Sequence, residues 1–205
     1  MTNRHNRSGS LVPYITAWSD ERPLPTTIIE LPHRGIMYSD EVFGERDHHG
    51  VLWPRIPSRP GHGRPEFGRV HSLRQRRAMR QLLCQVCAQP ADHNDQGVLW
   101  LLIDHHDDWP TWPENMACTH PPVCRRCARI SIRACPAVRQ APLVIRAARY
   151  PIAGVLGLRY QPGQPHLTNA EKTIVAFTNP AIRWTRAEQL IRELTHCTIV
   201  DLDQL

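Results

Sequence analysis

Two Cys-x-x-Cys pairs, Cys84-Gln85-Val86-Cys87 and Cys124-Arg125-Arg126-Cys127, constrain this chain more than any other feature. Two thiolates separated by two residues grip one metal ion from a tight turn. Two such pairs complete the tetrahedral tetrathiolate shell that zinc accepts. A closed shell of this kind stabilises a fold and offers substrate no open position, so any chemistry must come from elsewhere. The chain carries seven cysteines, and the paired spacing points to one structural zinc ion before disulfides. The opposing reading is that all are ordinary core cysteines. Cys118, His120 and Cys135 could replace one ligand but lack a close partner at motif spacing, and Cys197 lies in a β-branched apolar run that reads as core.

The sequence around the pairs supplies flanking elements. Ser72 and Gln75 fit a capping box opening a helix that runs to about Leu83. On its wheel Arg74, Arg76, Arg77 and Arg80 share one side, and Ala78, Met79, Leu82 and Leu83 the other. Val98–Ile103 reads as a buried strand. Arg125 to Ala134 reads as a short helix ended by Pro136, with Arg125, Arg126, Arg129 and Arg133 on one face. The first cysteine pair thus sits on a turn before a strand and the second where a helix starts. Over residues 84–135 this arrangement resembles a treble-clef zinc module, which implies a knuckle, a β-hairpin and a helix whose first turn supplies the second pair.

Outside that quarter of the chain, residues 1–12 read as a mobile polar tail. Residues 13–71 read as short strands, including Thr26–Leu31, followed by a Pro/Gly-rich loop from Pro54 to Gly68. The Gly-Val-Leu-Trp tetrapeptide at 50–53 and 97–100 is too short to be a repeat. In 142–205, Leu143–Tyr150, Ile152–Tyr160 and Thr173–Thr178 read as strands of a meander. Thr185 and Glu188 suggest a second capping box, with Ala187, Leu190, Ile191 and Leu194 at helical spacing, before a last strand Cys197–Leu202. The expected architecture is one α+β domain: residues 72–135 as the zinc module, joined to a mainly antiparallel sheet with a β-β-α-β C-terminal part.

The formal charge of +6 favours a polyanionic partner, although Arg supplies every basic residue but Lys172, as a GC-rich genome would also produce. Residues 69–91 and 115–170 hold no Asp or Glu, whereas 92–114 is acidic. The leading expectation is a non-enzymatic nucleic-acid-binding or regulatory module in which Arg74, Arg76, Arg77, Arg80, Arg125, Arg126, Arg129 and Arg133 contact phosphates. These stripes read equally as solvated helix faces. Asp104-His105-His106, between the cysteine pairs, also resembles the start of an HNH nuclease. That resemblance implies His105 or His106 as general base and Asp104 as a ligand of a catalytic divalent metal or an orienting group, but the helix after Cys127 offers no His, Asn or Asp as a second ligand, and Asn115 is the only Asn nearby. A third reading is a protein-interaction module with purely architectural zinc, in which Trp53, Trp100, Trp109 and Trp112 pack the core or anchor a partner. No phosphate-binding or dinucleotide motif is present, and no apolar run suits a membrane span or a signal peptide, so the reading is cytoplasmic with no nucleotide cofactor.

Overall fold

Seven consecutive buried or half-buried residues, Gly97–Ile103, form the strand about which this fold is organised. The computed structural model describes residues 11–163 and 170–205. Its strands are β1 (Thr16–Trp18), β2 (Ile28–Leu31), β3 (Gly35–Tyr38), β4 (Pro65–Val70), β5 (His93–Asn94), β6 (Gly97–Ile103), β7 (Met116–Cys118), β8 (Pro142–Arg149), β9 (Ile152–Tyr160), β10 (Ala170–Ala176) and β11 (Thr185–Ile199). Helix α1 (Ser72–Gln81) precedes β5, and α2 (Arg125–Ala134) and α3 (Pro136–Gln140) precede β8. The result is an α+β fold. The main antiparallel sheet runs β10-β9-β11-β8-β6-β5, with β7 also on β11, while β1 pairs with β4 and β2 with β3.

β6 is apolar throughout because both its faces are covered. Leu99 and Leu101 pack with Cys84, Val86, Val123, Cys127, Ala128 and Val144. Val98, Trp100 and Leu102 pack on the opposite side with Cys118, Leu143, Ile145, Ala147 and Leu194. Gly97 opens the strand at φ +113, a region L side chains avoid, and a Cβ there would lie 2.0 Å from the Ala147 carbonyl oxygen, so only glycine fits. Trp53 and Trp100 are core residues, 4% and 0% exposed. Trp109 and Trp112 meet edge to face with centroids 6.3 Å apart.

The structure departs from the sequence expectations at several points. Of the expected tail, residues 1–10 lie outside the described residues, but Val12 is buried, and the Tyr14 and Ile15 amides donate to the Val86 and Gln85 carbonyls. β8 and β9 do not form a hairpin within a meander. Thr195↔Arg149 to Ile199↔Ile145 continues the register of Thr185↔Arg159 to Arg192↔Ile152, so the two strands follow one another along β11, separated by Tyr150 and Pro151. Only β9 and β10 pair as the meander requires.

The largest departure is at 185–194, which is strand and not helix. Ala187 pairs with Gly157 but Gln189 with Leu156, so Glu188 is an extra residue in β11. That bulge shifts the strand's alternation by one. Ala187, Leu190 and Leu194 thereby all turn inward, with Ile191 covered on the other face, and an i, i+3, i+4, i+7 pattern arises without a helix. The Thr185 hydroxyl donates to the Ala181 carbonyl instead of capping anything downstream.

Helix α1 is present, but its expected capping box is not. His71 occupies the N-cap position and makes no side-chain cap bond. Gln75 reaches across to the sheet, donating to the Thr119 carbonyl just after β7 and to the Leu190 carbonyl of β11, and accepting from the Leu190 amide. Buried Arg192 donates to the Met79 carbonyl at 2.6 and 3.0 Å, a cation near the helix C-terminus. Helix and sheet are therefore locked by polar bonds as well as by Met79, Val155 and Leu190.

Arg74 is 3% exposed and forks onto Glu21, itself 0% exposed, through two bonds of 2.6 and 2.7 Å. Burial works to raise the Glu21 carboxyl, but the Arg74 bonds, the Trp18 amide and the nearby charges outweigh it and hold it below its ordinary 4.5. A depressed acid contributes stability above its unfolded pKa and loses it as pH falls through the folded one. Arg74→Met should cost about 3–5 kcal/mol at neutral pH by stranding a buried carboxylate. Because Glu21 then protonates easily, the gap to wild type should narrow as pH falls towards and below 4.5. Urea unfolding at several pH values checks both the size and the direction.

Candidate metal centre

The turn after α1 starts with Leu82 in the left-handed region (φ 51), where its amide donates back to the Ala78 carbonyl. Cys84 then follows, and the Ala88 amide donates to the Cys84 carbonyl while the Cys84 amide donates to the Gln89 carbonyl. Ala88 also has positive φ (60). These bonds fold 84–89 into a tight knuckle that aims Cys84 and Cys87 the same way. The second pair is positioned by α2. Cys124 is its N-cap residue in extended conformation, its carbonyl accepts from Ala128, and Cys127 lies in the first turn.

The two halves meet through backbone. The Gln85 amide donates to Pro122, Asp92 to Val123, and Val123 to Leu99, so residues 122–123 lie between the knuckle and β6. Behind them Arg146, 2% exposed, donates to the Gly97 carbonyl and forms a close ion pair with Asp92.

The ligand atoms of Cys84, Cys87, Cys124 and Cys127 all lie within 4.8 Å of one another. Cys87 Sγ and Cys124 Sγ are 3.8 Å apart, which is the edge of a tetrahedron built on metal–sulfur bonds of about 2.3 Å. All four cysteines are free thiols. Cys84 and Cys127 are buried and the other two half-buried, so the donor set is soft, closed and shielded, as a structural tetrathiolate site requires. The thiols also share protons as close neighbours do. A hydrogen bond from Cys127 is the main influence drawing Cys84 down to about 5, and the same bond drives Cys127 up. Burial pushes Cys87 up to about 11.

Cys118, His120 and Cys135 do not join the cluster. The Cys118 thiol is buried in the second core and donates to the His120 carbonyl at 3.4 Å, and burial pushes it up to about 12. Cys135 ends α2. Cys197 is half-buried, packs against the second core, and is likewise raised to about 12, chiefly by burial.

Asp104, His105 and His106 form a local turn after β6. The Asp104 carboxylate accepts from the His106 amide at 3.0 Å and lies 3.3 Å from its ring, and Asp107 lies 3.4 Å from the other ring nitrogen. His105 and His106 are exposed. No further ligand joins them among the described residues, where the cysteine quartet is the one group with the geometry to hold a metal.

The two Arg stripes differ in kind. In α1, Arg74 is buried on Glu21, Arg76 lies 4.4 Å over the Trp53 ring, and Arg80 pairs with Asp47 at 3.3 Å. Arg77 alone of the four is exposed without an acidic partner among the described residues, bonding Gln81. In α2, Arg125, Arg126, Arg129 and Arg133 are all exposed, and only Arg125 approaches a carboxylate among the described residues, Asp92 at 3.8 Å. The expectation that Arg74 meets phosphate is therefore corrected, because its guanidinium already has a buried carboxylate. Sequence reasoning missed Glu21 and Asp47 as partners, since each lies more than 30 residues from the arginine it holds.

No protein-family model, curated protein or solved structure matches this chain. Among the described residues no helix is long and apolar enough to cross a membrane.

Elemental analysis of purified protein should find one divalent ion per chain, absent from a Cys84→Ser/Cys127→Ser double variant. Chelation should lower Tm by on the order of 10 °C, the effect of removing a tight ligand of the folded state alone. Because all four thiols must be deprotonated to bind, metal should be released as pH falls and regained as it rises.

Proposed function

We propose that this chain is a non-enzymatic module, stabilised by one zinc ion in a treble-clef-like setting, that binds the phosphate backbone of nucleic acid through α2. One contrast carries the reading. The arginines of α1 are mostly engaged inside the protein, whereas Arg126, Arg129 and Arg133 project into solvent with no ion pair among the described residues. The order knuckle, β5–β6 hairpin and α2 supports the treble-clef comparison.

Charge near the ion refines which arginines matter. Four thiolates around a divalent cation leave the site with a formal charge of about −2. Arg125 and Arg126 sit between two ligands and partly balance that charge. Arg129 and Arg133 lie one and two turns further along the helix, beyond most of that balance, and are the stronger phosphate contacts. From Arg125 to Arg133 the stripe spans about 12 Å at 1.5 Å per residue, enough to follow a few phosphates along one strand.

The test is a titration onto labelled duplex DNA and single-stranded RNA over a salt series, with magnesium in parallel lanes. Binding should weaken steeply with salt. Arg126→Gln/Arg129→Gln/Arg133→Gln should flatten the log–log slope by about 2 to 3, at roughly 0.9 for each duplex phosphate that the variant no longer neutralises. An unchanged slope in that variant, or no binding at low salt, would sink the proposal. Magnesium-dependent cleavage abolished in His105→Ala/His106→Ala would replace it with the nuclease reading.

A further inference from the structure

The four sulfurs of the metal centre are unequally placed towards solvent. Cys84 and Cys127 are 0% and 3% exposed, which closes them to a solute. Cys87 and Cys124 are half-buried. These two belong to different Cys-x-x-Cys pairs, and their Sγ atoms lie 3.8 Å apart. A disulfide holds its sulfurs about 2.05 Å apart, so the gap to close is about 1.8 Å.

The backbone on either side is already joined. The Gln85 amide donates to the Pro122 carbonyl at 2.9 Å and the Asp92 amide to the Val123 carbonyl at 3.1 Å. Knuckle and pre-helix segment therefore run together before any covalent link forms. A bond between Cys87 and Cys124 would preserve that arrangement, whereas a bond within either pair would leave α2 and the knuckle unconnected by sulfur. The remaining thiols compete poorly. Cys118 is 3% exposed, Cys197 packs against the second core, and Cys135 follows the last turn of α2, about 16 Å along the helix from Cys124 at 1.5 Å per residue.

We propose that Cys87 and Cys124 are a site of reversible oxidation, joined into a disulfide by hydrogen peroxide with loss of the metal. The inference rests on the zinc reading of the cysteine quartet and not on phosphate binding by α2. Cysteines that ligate a divalent ion are held as thiolates, the form that peroxide oxidises. Sγ of Cys87 or Cys124 attacks one peroxide oxygen, the O–O bond breaks, hydroxide leaves to become water, and the sulfur becomes a sulfenic acid. The other thiolate attacks that sulfur, the S–O bond breaks, and the second hydroxide leaves as water. Two thiolates, one peroxide and two protons thus give one disulfide and two waters, each sulfur losing one electron. Cys84 and Cys127 are then the only donors left, half of the shell that zinc accepts, and the ion departs. The new bond ties the knuckle to the start of α2 in place of the ion, until a dithiol reduces it.

Stepwise addition of hydrogen peroxide to the zinc-replete full chain, read by a zinc-sensitive dye and by peptide mass mapping without reductant, tests the proposal. Cutting after arginine and before aspartate puts Cys84 and Cys87 on one peptide, Cys124 on a second and Cys127 on a third, and fragmentation separates Cys84 from Cys87. About one ion should be released per disulfide formed, with the 87–124 bond at least about tenfold more abundant than an 84–87 or 124–127 bond. Dithiothreitol and added zinc should restore the starting state, and Cys135→Ser should give the same bond. The oxidised, metal-free chain should melt at least about 5 °C above the reduced, chelated chain, because the bond closes a loop of 36 intervening residues. The proposal is overturned if bonds within the pairs predominate, if peroxide yields only sulfinic and sulfonic acids, if zinc stays bound once the bond has formed, or if the oxidised chain melts with the chelated one. Purified chain without metal would instead overturn the zinc reading, and the same mapping on that chain still shows which sulfurs join.

Discussion

Four sulfur atoms converging within 4.8 Å tie together two segments that the chain keeps 36 residues apart, and the layers around them depend on that convergence. Without an ion, the cluster is a poor core: burial opposes ionisation, neighbouring thiols compete for protons, and sulfur atoms near 3.8 Å make no covalent link. A metal reverses each of these effects, because it stabilises the thiolates and fills the space between them. The knuckle, residues 122–123 and the first turn of α2 then become one rigid corner. Leu99 and Leu101 of β6 pack directly on that corner, so its order passes into the main sheet.

From β6 outward, the same strand serves two cores, one against the cysteines and one against β7, β8 and β11. β11 carries this coupling further. Its first half lies on β9, its last residues on β8, and α1 is fixed to it through Gln75 and Arg192. A 15-residue strand can join so many elements because its bulge at Glu188 shifts its alternation and turns Ala187, Leu190 and Leu194 all inward.

What was legible in the sequence follows from how local each signal is. The cysteine quartet could be read because its spacing is itself the geometry, and β6 because a continuous apolar run between turns has few other fates. Helix α1 was legible in extent but not in its partners: Gln75 reads as a local cap and proves to be a long-range bond to Leu190. β11 reads as helix because a bulge converts period two into an apparent period near 3.6, and no residue type announces a bulge in advance. The division of the Arg stripes between inside and outside was invisible for a similar reason, since Glu21 and Asp47 become partners only after β1 and the loop before β4 fold onto α1.

The uneven use of arginine is the thread joining fold to function. Arg74, Arg146 and Arg192 are each under 10% exposed, and each has carboxylate or carbonyl acceptors to offset the cost of burial. A planar, permanently charged guanidinium can bridge two or three acceptors at once, which a lysine ammonium matches poorly. A chain with a single lysine therefore uses arginine as structural material, and its net charge of +6 overstates the charge free to meet a partner. The arginines that lack acidic partners among the described residues stand out against this background. Three of them, Arg126, Arg129 and Arg133, stand together on the exposed side of α2, whereas others such as Arg34, Arg64 and Arg149 are spread along the chain. Where a protein gives its fully buried guanidinium groups carboxylate or carbonyl partners and leaves a run of exposed ones on a single helix without them, that run is the charge left free to meet a partner.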